Sequence, residues 1–315
     1  MGFWQKTMIA VACSKPLRRM GEAVGRKTGL AAQFVSGDDI AGHVTRAREL
    51  DRQDIRVSSF YLGEYVTKPA QVTRTVDQLT DLIPQLDAAG LDVHVSVDPS
   101  QLGYMQDPEM LWDNALKLAA LTGETAAVQS ETRCRRLMID MEDFAMIDDT
   151  LALHDRLRDL GHPVAQTLQA RLFRTEADLT RKIEQGAMVR LVKGAMAPSA
   201  KVAFTRRSDI NANYLKLADM MLSDTARASG FVPVFGSHHR ELVDEIAALA
   251  DTRGWPRDAF EFEMLYGVHQ PLQRDLVKRG YRVRLYAPFG EDWWAYAWRR
   301  VGKIRAICCF WCVHG

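Results

Sequence analysis

With 315 residues, 47% of them hydrophobic, the chain can bury the core of one α/β barrel or of two smaller domains, and we read one. Its 41 basic and 40 acidic residues nearly cancel, which leaves no electrostatic footprint for nucleic acid and sets that function class aside. Its 5 cysteines, with Cys308, Cys309 and Cys312 crowded near the end and Cys13 and Cys134 apart, fit neither a disulfide framework nor a paired zinc motif, so a reducing cytoplasm is expected.

The apolar stretch from Met8 to Cys13 lies between Lys6 and Lys15 and is far below spanning length. Neither a membrane span nor a signal peptide is expected from it. Residues 1–50 read as a helical segment with Asp38 or Asp39 as caps, expected to close the N-terminal end of the main domain. Eight runs with strand character follow, at 55–60, 92–97, 136–140, 164–168, 188–192, 232–235, 260–264 and 282–286, each separated by a stretch of helical periodicity. Residues 70–89 put Val72, Val76, Leu79, Leu82, Ile83 and Leu86 at helical spacing, and 209–228 do the same with Tyr214, Leu215, Leu217, Met221 and Leu222. Strict alternation of this kind predicts parallel βαβ units, and eight of them argue for an α/β fold closed into a (β/α)8 barrel rather than an open doubly wound sheet.

Barrels of this kind carry their chemistry at the C-terminal strand ends. The residues expected there are Glu64, Asp98, Asp140 with Glu142 and Asp143, Gln169, Arg190 with Lys193, Ser237 with His238 and His239, Leu265 with Tyr266, and Tyr286. Taken alone, Asp140, Glu142, His238 and Glu263 have the donor types of a divalent metal site. Arg190 and Lys193 oppose a cation and suit an anionic partner instead, such as a phosphate or a ring carrying negative charge. A Ser-His-Asp reading of Ser237 and His238 is not required. Further on, Tyr296 and Arg299 are three apart and share a face if helical, with Arg300 beside them. Two adjacent guanidiniums next to an aromatic ring suit a small carboxylate on an apolar body, although an exposed basic turn under an aromatic stripe has the same spacing.

Several of these segments together carry a resemblance. Val189-Arg-Leu-Val-Lys-Gly-Ala195, Glu261-Phe-Glu-Met-Leu-Tyr-Gly267, Tyr286-Ala-Pro-Phe-Gly290 and Tyr296-Ala-Trp-Arg299-Arg300 are similar to motifs of the proline dehydrogenases, the flavin-dependent barrel family that oxidises proline. The likeness runs from about Leu62-Gly-Glu64 to Arg300. It implies a distorted (β/α)8 barrel over 51–302, with N-terminal helices and a substrate-binding C-terminal helix, that oxidises L-proline to 1-pyrroline-5-carboxylate with FAD. It implies Gln169, Arg190, Lys193, Gly194, Ala195 and His238 at the FAD, and Asp140, Tyr286 and Asp98 in the catalytic centre. Arg299 and Arg300 would hold the substrate carboxylate, with Tyr286, Tyr296 and Leu265 around its ring. By the same analogy electrons pass to a quinone or other acceptor, with at most peripheral contact at the inner face of the membrane.

Two positions depart from the family pattern. The second strand ends in a lysine in that family, whereas this frame reads Ser96-Val-Asp98-Pro-Ser-Gln-Leu-Gly103, and Gly-Ala-Tyr becomes Gly194-Ala195-Met196. Two facing carboxylates, Asp98 and Asp140, raise the pKa of one unless a cation separates them. These changes leave open another cyclic or secondary amino acid, such as hydroxyproline, as substrate, and also a weakly active flavin-binding homologue. The resemblance stops after Arg300. Codons chosen for the segment from Lys303 to Gly315 read, after one added G, as a continuation of the family motif with glutamate in place of Lys303. Residues 303–315 are therefore read as an atypical tail, either the product of a single-base deletion or a natural divergent end.

Overall fold

The computed structural model describes residues 33–63, 66–124, 133–194, 198–291, 293 and 296. Among the described residues helix α1 (Ile40–Asp51) comes first, capped by the Asp39 carboxylate, which accepts the Gly42 N–H. Then follow β1 (Ile55–Tyr61), α2 (Pro69–Ala88), β2 (Val93–Val97), α3 (Pro108–Glu124), β3 (Arg135–Ile139), α4 (Ile147–Asp159), β4 (Val164–Gln169) and α5 (Thr175–Glu184). The second half holds β5 (Met188–Val192), α6 (Arg207–Met221), α7 (Asp224–Ala228), β6 (Val232–Gly236), α8 (Arg240–Thr252), β7 (Glu261–Leu265), α9 (Gln270–Lys278) and β8 (Arg282–Phe289). All eight strands pair in parallel in chain order, and β8 closes on β1 from Ile55 opposite Val283 to Tyr61 opposite Phe289. Short 3-10 turns at Pro99–Leu102 and Phe144–Met146 follow β2 and β3.

The outward-facing residues of the strands meet the apolar stripes of the helices. In α2, Leu79, Leu82 and Ile83 are fully buried, and truncating one such side chain to alanine costs roughly 2–5 kcal/mol. Tyr214 fixes α6 to the barrel by donating its hydroxyl to the Leu191 carbonyl at 2.8 Å. The helix expected over 209–228 is interrupted. Ser223 accepts the Ala226 N–H and starts α7 as a separate helix, because a serine hydroxyl at that position satisfies a backbone donor that helix continuation would use.

Of the 1–50 segment expected to close the strand starts, residues 1–32 lie outside the described residues; helix α1 packs beside β1, with His43, Val44 and Ala47 buried. His43 joins the segment before the helix to the barrel wall: its Nδ1 is 2.6 Å from Ser36 Oγ and its Nε2 2.7 Å from Ser59 Oγ, while its ring stacks on Phe289. The same segment reaches the catalytic end of the barrel, where Ser36 N–H donates to Pro288 O and Gly290 N–H to Gly37 O. Gly267, at φ +75°, allows this passage, since a Cβ there would lie 1.7 Å from the Gln33 carbonyl oxygen.

The inward-facing positions are unusually polar for a (β/α)8 barrel, whose interior is commonly filled by branched apolar side chains. Toward the strand starts, Arg284 donates to both oxygens of Glu261 at 2.7 and 2.9 Å, to Asp92 Oδ2 at 2.8 Å and to Val57 O at 2.9 Å. Above it His94, Ser58 and Ser96 form a hydrogen-bonded row, with His94 Nδ1 3.0 Å from Ser58 Oγ and the two serine oxygens 2.9 Å apart. Met138, Ala165, Met188 and Val234 fill an apolar patch beside them. The polar series ends at the strand C-termini.

Candidate active site

Strand alternation sends His94 and Ser96 of β2 inward with Asp98 just after it, and likewise Asp140 after β3, Thr167 and Gln169 of β4, Arg190 of β5, Glu263 of β7 and Tyr286 of β8. Asp140 is held in place by its own backbone, whose N–H donates to Val97 O at 2.8 Å. Its Oδ1 accepts the Thr167 hydroxyl at 2.8 Å and an Arg190 Nη2 hydrogen, and its Oδ2 accepts the Tyr286 hydroxyl at 3.0 Å. Arg190 also donates through Nε to Thr167 Oγ1 at 3.1 Å, and through Nη1 to Glu263 Oε1 at 2.5 Å and Ser96 Oγ at 3.3 Å. Its guanidinium lies 5.1 Å from the Tyr286 ring centre, within cation–π range.

These contacts set the charge states. Burial works to lower the Arg190 pKa, yet the Asp140 and Glu263 charges more than reverse it, so the guanidinium is fixed as a cation. Burial, then the charges of Asp140 and Asp98, push the Tyr286 phenol well above its ordinary range. Tyr286 is therefore a neutral hydrogen-bond donor at neutral pH, and both aspartates lie close enough to act on it.

Asp98 has a local task as well. Its carboxylate accepts the Gln101 N–H, and Gln101 returns the bond by accepting the Asp98 N–H at 3.0 Å, a reciprocal cap on the 3-10 turn after β2. Glu142, one of the residues considered as a metal ligand, turns away and accepts both the N–H and the hydroxyl of Ser100 at 2.8 Å. Asp140 and Glu263 share Arg190. Among the described residues no set of three His, Cys, Asp or Glu groups is arranged to hold a metal ion.

On the β4–β6 side the expected cofactor residues converge in part. Gln169 braces the loop after β3, donating through Nε2 to Met141 O at 3.0 Å and Glu142 O at 3.2 Å. Lys193 donates to Asn211 Oδ1 at 2.8 Å, and half-burial together with nearby Arg207 brings its pKa down to about 8. Gly194 has φ +98°, and a Cβ there would meet Arg171 Cδ at 2.8 Å and Gln169 Oε1 at 2.9 Å, so only glycine fits this close approach. His238 is exposed at its loop. The adjacent His239 is the histidine beside Lys193: burial and then the Lys193 charge lower its pKa, and its Nδ1 is buried without a partner among the described residues.

At the opposite side of the mouth Tyr296 and Trp293 are buried with Phe34, Val35, Phe60 and Leu62, and Tyr286 packs against this cluster. The Phe60 and Tyr286 rings are 5.1 Å apart. Leu265, at the end of β7, is half-buried. Glu64, Ala195, Met196, Arg299, Arg300 and the 303–315 segment lie outside the described residues.

Four participants were not singled out as site residues by sequence reasoning: Thr167, Ser96, Phe60 and, as an Arg190 partner, Glu263. A signal was present. Polar residues recur with period two in otherwise apolar strands, as in His94-Val-Ser96-Val-Asp98 and Glu261-Phe-Glu263.

Comparison with known proteins converges on one family. The family model for proline dehydrogenase matches residues 43–302. Proline dehydrogenase 2 of Bacillus subtilis (strain 168) is 31% identical over 287 residues, covering 91% of this chain and 90% of that protein. Proline dehydrogenase of Deinococcus radiodurans is 30% identical over 305 residues, covering 95% and 94%. Among solved structures, proline utilization A from Bdellovibrio bacteriovorus inactivated by N-propargylglycine superposes with a TM-score of 0.77 at 21% identity, over 89% of this chain and 33% of that one. At that identity the superposition speaks for the fold, a parallel eight-stranded barrel.

Proposed function

The chain belongs to the proline dehydrogenase family, and we propose that it oxidises L-proline to 1-pyrroline-5-carboxylate using FAD. The observation that carries this reading is the Arg190–Asp140–Tyr286 constellation, buried at the mouth of a barrel whose sequence matches the family along nearly all of its length.

The residues on the β4–β6 side fit a flavin dinucleotide on three counts. Arg171 Nε is buried without a partner among the described residues, as is His239 Nδ1. Lys193 and Arg207 add positive charge close by. The Gly194 backbone, barred from carrying a side chain, permits close approach of a ligand. Gln169, Arg190, Lys193, Gly194, Ala195 and His238 would hold the cofactor, with His239 added by its place beside Lys193. When bound, FAD supplies the hydride acceptor for the C5–H bond of proline.

The remaining work belongs to the side chains. The Tyr286 proton is committed to Asp140, so the phenolic oxygen presents its lone pairs to a substrate ammonium. Phe60, Tyr286 and Tyr296 give an apolar wall against the ring and keep water out. Arg299 and Arg300 are proposed to fork the carboxylate, and Leu265 to line the opposite wall. Asp98 acts on Tyr286 as a second anion, and this favours a second reading. A substrate with an additional donor, such as hydroxyproline, would gain an acceptor there. Transfer of electrons to a quinone, from a cytoplasmic position at the membrane surface, is part of the proposal. Among the described residues no helix is long and apolar enough to cross a membrane.

The test is anaerobic addition of L-proline, and separately of hydroxyproline, to the flavin-loaded protein. Bleaching of the visible flavin band by proline supports the first reading. Bleaching by hydroxyproline alone replaces it with the second, and bleaching by neither sinks both.

A further inference from the structure

Two buried carboxylates share the Arg190 guanidinium, and the sharing is unequal in what it leaves free. Arg190 gives Nη1 to Glu263 Oε1 at 2.5 Å and Nη2 to Asp140 Oδ1. Asp140 then has both oxygens engaged, with Thr167 at Oδ1 and Tyr286 at Oδ2. Glu263 is 3% exposed, and its Oε2 has no donor among the described residues.

A guanidinium facing a single carboxylate settles into a fork, two parallel bonds to two oxygens. On Asp140 such a fork would bring a charged donor onto Oδ2 to compete with the Tyr286 hydroxyl. Glu263, with Ser96 Oγ at 3.3 Å, draws Nη1 to the far side of the mouth instead. Glu263 is itself held in place: it pairs with Gly236 of β6, and any side chain at Gly236 would strike Val192 Cγ1 at 2.7 Å and Leu191 O at 3.0 Å, so these strands sit close.

We propose that Glu263 is a positioning residue of this site: by holding one arm of Arg190 it keeps Asp140 Oδ2 for Tyr286, and so sets where the phenol meets the substrate. The substrate named here rests on the functional reading above; the geometry does not. The charged and titratable groups that act on Glu263 are Arg190 from β5, Arg284 from β8 and Glu261 from its own strand, and Glu263 acts in turn on Tyr214 of α6. Burial raises the Glu263 carboxyl pKa while the two arginines oppose the rise. Asp140 and Asp98 act on Tyr286 from β3 and β2.

The deciding variant is Glu263→Gln, which keeps an oxygen for Nη1 and removes the charge. Arg190 should then turn Nη1 toward Asp140 Oδ2, and the Tyr286 bond to that oxygen should lengthen and shift. For L-proline kcat/KM should fall by roughly 10- to 100-fold, the scale on which a displacement of about 1 Å acts. The alkaline limb of its pH profile should move to lower pH, because a more fully neutralised Asp140 opposes Tyr286 ionisation less. The midpoint potential of bound flavin, set by chemical reduction without substrate, should rise, since one buried anion fewer faces the reduced, more negative ring. In a Tyr286→Phe background the same substitution should cost little more, as expected for two residues acting through one contact. Wild-type values of kcat/KM, pH limb and potential in Glu263→Gln would overturn the proposal. So would an undiminished loss in the Tyr286→Phe background, which would mark Glu263 as merely structural. If proline fails to reduce the wild type, the substrate reading falls, and a crystal structure of Glu263→Gln still decides: Arg190 Nη1 turned onto Asp140 upholds Glu263 as the residue that holds that arm, and an unmoved Arg190 overturns it.

Discussion

Tyr286 donates its hydroxyl hydrogen to Asp140 Oδ2 across 3.0 Å, a bond that ties the last strand of the barrel to the loop after the third. Because the phenol is buried and two aspartates bear on it, the proton stays on the tyrosine oxygen at neutral pH. This places the tyrosine hydroxyl and the buried carboxylate in one unit, and the unit can be taken apart.

Tyr286→Phe removes the hydroxyl and keeps the ring against Phe60 and Tyr296. The fold should persist, with a stability change of about 1 kcal/mol for the lost hydrogen bond. The kcat/KM for proline should fall by at least about tenfold, which corresponds to 1.4 kcal/mol of transition-state binding. Denaturant unfolding beside steady-state kinetics checks both, and wild-type turnover would remove Tyr286 from the substrate contact.

Arg190→Met tests the ion network against pH. Removing one partner of a buried pair costs about 3–5 kcal/mol. It also leaves Asp140 and Glu263 without their shared cation, so the Glu263 pKa, already raised by burial, rises further above its unfolded value. Such a carboxyl is neutral in the fold at low pH, and stability is lost as pH climbs from the unfolded pKa through the folded one. The variant should therefore be closer to wild type at pH about 5 than at pH about 8 in urea midpoints. A deficit that is constant across this range would contradict the assignment.

Much of this architecture was legible from the chain. Every strand lies within a few residues of its expected span, because apolar runs of strand length between helical stretches leave little freedom in a parallel barrel. Asp140 and Tyr286 were nameable, being polar residues at strand ends. What escaped was pairing across the barrel: Arg190 meets Glu263 only once β5, β6 and β7 have been set in register, and Arg284 meets Asp92 only after β8 closes beside β1 and β2. Asp98 was legible as a departure in charge, whereas its capping of the turn at Pro99–Leu102 depends on backbone direction that no charge pattern reveals. The place of α1 beside β1 follows from His43, a lone histidine whose two serine partners lie on different segments.

Asp98→Asn separates the two tasks of Asp98. Asparagine caps as well as aspartate, so stability should change by less than about 1 kcal/mol, while the anion facing Tyr286 is lost. We expect higher kcat/KM for proline. Asp98→Lys should lose the cap as well, at about 0.5–2 kcal/mol. A fall in proline turnover in Asp98→Asn, with hydroxyproline turnover falling further, would assign Asp98 to substrate recognition instead.

Arg300→Ala tests the expected carboxylate clamp. Truncating one member of a desolvated charge pair costs roughly 2–5 kcal/mol, so the KM for proline should rise steeply while flavin affinity, read by fluorescence quenching, stays at the wild-type value. An unchanged KM would take Arg300 out of the site.

His43 supplies a prediction about acid stability. Its ring is fully buried between Ser36 and Ser59, and desolvation lowers its pKa from 6.5 to about 3. The unfolded chain takes up a proton near pH 6.5 that the folded chain refuses until about 3, so the contribution of His43 is fully present above 6.5 and is lost as pH falls through that window. Each pH unit removes about 1.4 kcal/mol once the unfolded imidazole is charged. His94 and His154 are also buried with lowered pKa values and act in the same direction. His43→Gln keeps a side chain able to bond a serine hydroxyl but cannot titrate. Its unfolding free energy should start below that of wild type at pH about 7.5 and decline less steeply toward pH about 4, so the two curves converge. Parallel curves would mean that His43 is already charged in the fold, and that the Ser36–His43–Ser59 bridge is held by a cation.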